Sequence, residues 1–226
     1  LLCSALSVPA QMPGAGQAGV NGALLKLFGA TPAFSAKADV RTLDGAGQKT
    51  SSMVTDFALL NGEVRAEIDT GQMKSTELDE TALARLKQMG LDRVVTLLRP
   101  GKQSALVISP ALQACTEAPM AAETVAEFTR DYKVQRALWI KETIGSYACE
   151  KCKVVLTGPK QGRQEAVVWF APGLKDFPVK VQMHQTEATV VMQFREGALR
   201  RPDAKSFAAP AGFTKHPSVE ALPDRR

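Results

Sequence analysis

An α+β fold, with one large curved antiparallel sheet and two or three helices on its apolar side, is predicted by three features of the sequence. Alternation of apolar and polar residues at a period of two recurs along most of the chain. Two segments switch to a period near 3.6. Strand candidates that follow one another are joined by short connections rich in Gly and Pro, which favours antiparallel neighbours. With 226 residues, 45% of them hydrophobic, the chain can bury one substantial core. A single domain over residues 31–226 is expected, with no internal repeat.

The first ten residues, LLCSALSVPA, carry no charge, and Val8 and Ala10 fit the small-residue positions of a secretory cleavage site. They read as the tail of a signal peptide cut after Ala10. A lipoprotein anchor at Cys3 is disfavoured by Leu2, where a small residue is required. Residues 11–30, opening QMPGAGQAGVNG, read as a structureless segment.

The first strand is AFSAKADVRTL, with Phe34, Ala36, Ala38 and Val40 on one side and Ser35, Lys37, Asp39 and Arg41 on the other. After the turn DGAGQ come KTSSMVTDFALL and EVRAEID, joined by Asn61-Gly62, the strongest two-residue signal for a tight hairpin. STELDETALARLKQMG changes period: Leu78, Leu83 and Leu86 form one stripe and Gly90 ends the helix. DRVVTLLRPGKQSALVIS is a hairpin pivoting on Pro100-Gly101. PMAAETVAEFTRDY reads as a helix beginning at Pro119, a residue tolerated in a first turn. KVQRALWIKET, KCKVVLT, QEAVVWFA, PVKVQM and ATVVMQF supply the remaining strands.

The net charge of +5 is spread among acids, and the nine Phe, two Trp and two Tyr form no basic-aromatic stripe, so nucleic-acid binding is not expected. After residue 10 no apolar run approaches the 18 or so residues that a membrane-spanning helix needs. GAGQKT, Gly45 to Thr50, has Gln48 where a phosphate loop needs glycine and joins strand to strand, so it is a hairpin loop. Arg65, Glu67 and Asp69 alternate as a charged outer ladder rather than as paired catalytic carboxylates. His184 falls on a solvent face and His216 in a tail, which leaves little for a catalytic triad and too few ligands for zinc. No cofactor is expected.

With the leader removed, Cys115, Cys149 and Cys152 remain. The odd number points to one disulfide and one spare thiol in an oxidising compartment. CEKC is followed by the strand-like KVVLTG, so the helix N-terminus that would stabilise a thiolate is missing. A structural bridge from Cys115 to Cys149 or Cys152 is therefore preferred over a thiol-disulfide site built on Cys149 and Cys152.

In LLNGEVRAEIDTGQM, LKQMGLDRVVTLLRPGKQSALVISP, VVWFAPGLKDFPVKVQM and PDAKSFAAPAGFTKH, the chain resembles a periplasmic domain of unknown function in the outer-membrane lipoprotein carrier (LolA/LolB-like) superfamily. The resemblance runs from about Phe34 to the C-terminus. Its most characteristic pieces are Trp169 with the loop to Phe177-Pro178, and the closing Phe207, Pro210, Gly212 and Phe213. None is a catalytic motif.

The resemblance implies an incomplete (half) β-barrel whose concave apolar face is covered by helices, a shape that accommodates acyl chains in carrier members. The ligand-cavity candidates are Met53, Phe57, Leu59, Val95, Leu97, Trp169, Met183, Met192 and Phe194. Flexible methionines suit a wall that adapts to variable ligands. The function expected is non-enzymatic and periplasmic or secreted: binding of a hydrophobic acyl or lipid-like ligand, or service as an accessory envelope factor beside an envelope protein partner. The alternatives are the thiol-disulfide protein and an interaction module whose interior is solid core.

Overall fold

The computed structural model describes residues 21–29, 31–76, 78–158, 163–185, 187–195, 199–219 and 221–222. The expected leader, its expected cleavage site and Cys3 lie outside the described residues. The chain enters at helix α1 (Gly22–Leu27), where Asn21 caps the first turn by accepting from the Leu24 N–H at 2.9 Å. This helix falls in the stretch expected to be structureless. Leu24, Leu27 and Phe28 repeat at helical spacing and are buried, which holds six residues that would not stay helical alone.

There follow β1 (Ala33–Asp44), β2 (Lys49–Leu60), β3 (Glu63–Asp69), the two-residue β4 (Lys74–Ser75), α2 (Glu80–Gln88), β5 (Arg93–Arg99), β6 (Ser104–Ser109) and β7 (Ala114–Pro119). Then come α3 (Ala122–Thr129), β8 (Lys133–Ile144), β9 (Tyr147–Thr157), β10 (Arg163–Ala171), β11 (Phe177–His184), β12 (Ala188–Phe194) and β13 (Thr214–His216). Pro119 closes β7, opposite Ser104, rather than opening a helix, and α3 starts three residues on, at Ala122.

The thirteen strands of the described residues form one open sheet, in the order β13-β7-β6-β5-β3-β2-β1-β12-β11-β10-β9-β8, with β4 beside β2. Two antiparallel meanders meet where β1 pairs with β12, Ala38 opposite Phe194 and Val40 opposite Met192. Only β13 against β7 is parallel among the described pairs. The tight hairpin expected at Asn61-Gly62 is present, with φ of 51° and 84°, the conformation that glycine tolerates best at its second position.

Because side chains alternate across the pleat and directly paired residues share a face, the register sorts the sheet into two sides. Ala38, Val40, Met53, Thr55, Phe57, Leu59, Val64, Ala66, Ile68, Val168, Val181, Met183, Met192 and Phe194 lie on the core side. Leu24, Leu27 and Phe28 cover it, with Leu83 of α2 and Phe128 of α3 packed against the same cluster. Glycine at position 22 lets α1 approach α3 closely: a Cβ there would stand 2.0 Å from the Glu127 carbonyl oxygen.

Candidate functional site

The centre of the core side is a nest of five phenylalanines. Phe28 of the α1 C-cap lies with its ring centroid 4.9 Å from Phe34, 6.0 Å from Phe57 and 5.6 Å from both Phe177 and Phe194. The other rings meet one another at 4.9 to 6.0 Å, mostly tilted or edge-on, the arrangement the ring quadrupole favours. Phe34 and Phe177 were visible in the sequence as an inward strand residue and a loop landmark. Phe28 was hidden by its place in a stretch read as structureless.

The register brings Met53, Phe57, Leu59, Met183, Met192 and Phe194 together on this side. Val95 and Leu97 are on the other: they oppose Glu67 and Arg65, and pack with Leu106, Ile108 and Cys115 beneath Ala209 and Phe213. Trp169 is also on the far side, opposite Lys180 in β11 and Lys151 in β9. Both ammonium groups stand over its ring, Lys180 at 4.4 Å and Lys151 at 4.9 Å from the centroid, and its indole N–H donates to the Glu142 carboxylate. Burial pushes the Lys180 amine down, with Glu142 opposing that shift.

An open crevice of about 290 Å³ lies at the turn end of the β8–β9 hairpin, lined by Lys141, Glu142, Thr143, Ala148, Cys149, Glu150 and Pro172. None of the cavity candidates borders it.

The expected bridge from Cys115 to Cys149 or Cys152 is not made. All three thiols are buried and free. Eight strands lie between β7, which carries Cys115, and β9, which carries the other two. Cys115 faces Ile108 on the far side of the sheet, whereas Cys152 faces Val168 on the core side. A disulfide needs Cα atoms within about 7 Å. Burial raises all three thiols above their ordinary range, the opposite of what an attacking thiolate requires.

Gly45 to Thr50 closes a hairpin in which Asp44 accepts from the Ala46 and Gln48 N–H groups. Glu67 binds Arg65 at 2.5 Å and also pairs with Arg93, while Asp69 caps the following turn through the Gly71 N–H. These carboxylates serve local structure. His184 is exposed beside Thr189, and His216 lies in β13 rather than in a loose tail. Among the described residues no cluster of three or more His, Cys, Asp and Glu is placed to hold a metal, and no helix is long and apolar enough to cross a membrane.

No family model matches the chain, and no curated protein matches it. Solved structures do. The lipoprotein LppX of Mycobacterium tuberculosis is 11% identical, over 80% of this chain and 94% of that one, with a TM-score of 0.42. LprF of Mycobacterium bovis is 10% identical over 80% and 94%, with a TM-score of 0.41. A LolA superfamily protein of Nitrosomonas europaea is 14% identical over 84% and 98%, with a TM-score of 0.36. The likeness is one of fold.

Proposed function

We propose that the protein is a non-enzymatic factor of the periplasm or cell surface that takes a hydrophobic, acyl or lipid-like ligand onto the core side of its sheet. In this reading the sheet curves as an incomplete barrel, the helices lie on its concave side, and residues 1–10 are the remnant of an export signal. One observation carries it: the central cover of that side is α1, only six residues long, with Phe28 set among four other rings. So short a helix is held in place by burial rather than by its own hydrogen bonds. An alkyl chain that displaced it would bury equivalent surface, at about 0.8 kcal/mol per methylene. Met53, Met183 and Met192 would adjust to the new occupant.

Native mass spectrometry with lipid extraction, paired with titration of a fluorescent fatty acid, tests this. The expected result is a bound acyl species and saturable binding that strengthens in Phe28→Ala, where the plug is loosened. Absence of both from protein of the native source would overturn the reading and leave the interaction module with a solid core, which the filled phenylalanine nest favours. The thiol-disulfide alternative has its own check. Under the ligand reading, Cys149 and Cys152 stay unlabelled by a thiol reagent at neutral pH until denaturant is added; a Cys149–Cys152 bond that cycles with mild reductant would reinstate the redox role.

A further inference from the structure

We infer that the free edge of the sheet at β8 is a docking ridge for the surface of an anionic phospholipid bilayer. β8 is twelve residues long and ends the strand order, pairing with β9 alone among the described strands. An edge strand of this length presents a row of unpaired backbone groups, and charge or cover is the usual remedy. Here the middle of the strand is apolar. Leu138, Trp139 and Ile140 are 58%, 60% and 54% exposed.

The pairing with β9 breaks register between Leu138 and Ile140, so Trp139 is an extra, bulged residue. Leu138 opposes Cys152, whose neighbours face the core side, and Ile140 opposes Lys151 on the far side. The apolar surface therefore wraps both faces of the edge as a ridge. A flat partner surface would cover one flank of such a ridge. A bilayer interface, into which it can sink, covers both.

Charge selects the occupant. β8 and β9 carry Lys133, Arg136, Lys141, Lys151 and Lys153 against the carboxylates Glu142 and Glu150. Both carboxylates already face lysines, Glu142 at 3.8 Å from Lys151 and Glu150 at 3.9 Å from Lys141, and Arg136 faces Asp176 at 3.8 Å, which leaves Lys133 and Lys153 as the surplus cations. Lys151 and Lys153 hold their ammonium groups 4.7 and 5.9 Å from the Trp139 ring centroid, so the indole is set out in advance with cations beside it. An indole at the headgroup level, aliphatic neighbours reaching below it and lysines meeting lipid phosphates is the composition of an interfacial anchor. This stands independently of the ligand reading, because it concerns the rim of the sheet and not its interior.

The test is flotation of the full chain with vesicles of phosphatidylcholine containing about one-third phosphatidylglycerol, against vesicles of phosphatidylcholine alone. The protein is expected to float with the anionic vesicles and to be released as salt rises to about 0.5 M. The triple variant Leu138→Ser, Trp139→Ser, Ile140→Ser, all at exposed positions, is expected to lose on the order of a hundredfold in partitioning. Lys133→Gln with Lys153→Gln is expected to lose on the order of tenfold. Circular dichroism and the melting temperature of each variant confirm that it folds. Failure to float, or flotation that neither set of substitutions weakens, overturns the inference. So does a dimer in sedimentation that the triple variant dissolves while vesicles are ignored, which would give the ridge to a second copy of the chain. Acyl species in the mass spectrum are unaffected by the ridge variants, so the two readings fail separately.

Discussion

Trp169 lies on the far side of the sheet under Lys151 and Lys180, and its sequence context explains why that could not be read in advance. In VVWFA every residue is apolar, so alternation gives no parity, and only the pairing with Lys180 decides which side the indole takes. Val95 and Leu97 are the same case. β5 carries apolar residues on both faces, Val95 and Leu97 beneath Phe213 and Val94 and Leu98 on the other, so alternation again gives no parity. Met53 and Phe57 stand in a strand with polar alternates and were legible. At this scale Asp39 gives a pH dependence. The hydrogen bond from Arg195 holds its carboxyl below the usual aspartate range, against a smaller opposing effect of burial. A carboxyl depressed in the folded state stabilises fully above its unfolded value of about 3.9, and that stabilisation is lost as pH falls through the lower folded value. In urea titrations, Asp39→Asn is expected to flatten the acid side of the stability profile below about pH 4 and to match the parent's slope near neutrality.

At the scale of elements, the strands declared themselves through period two and the Asn61-Gly62 turn, whereas α1 did not. Its apolar residues follow a long stretch of Gly, Ala and Gln, and their helical order is fixed only by the nest into which Phe28 fits. The α1–α3 contact offers a direct measurement. In Gly22→Ala the new methyl would meet the Glu127 carbonyl oxygen at 2.0 Å and the Phe128 Cα at 2.9 Å. Both are backbone atoms, so the helices must part. A gain in helix propensity, at most about 1 kcal/mol and smaller in a first turn, does not offset this. Gly22→Ala is expected to cost about 1–3 kcal/mol in equilibrium unfolding and to speed amide exchange in α1 before any other element. Unchanged exchange there would mean that α1 is not clamped at Gly22.

For the whole molecule, the α+β class and the antiparallel sheet followed from the order of periods along the chain, but the junction of β1 with β12 did not, since no local signal links residues so far apart in sequence. That seam makes the two meanders share one core: Phe34 and Phe57 come from one, Phe177 and Phe194 from the other, and Phe34 meets both rings across it while Phe57 meets Phe194. Calorimetry is therefore expected to record a single transition whose calorimetric and van't Hoff enthalpies agree. Two separable transitions would show that each meander keeps its own stability. The misplaced disulfide belongs to this scale as well, because cysteine counting sees compartment but not the eight strands between β7 and β9.

The parallel strand β13 has a consequence for how the chain is made. It covers the outer rim of β7, yet Thr214 lies a hundred residues downstream of its partner Ala114. The rim therefore stays bare until Thr214 to His216 arrive, on whichever side of a membrane the sheet folds. A chain caught in that interval, such as one still threading across a membrane, offers its unfinished β7 border to its neighbours, and it is then, rather than after completion, that a holding chaperone would matter most.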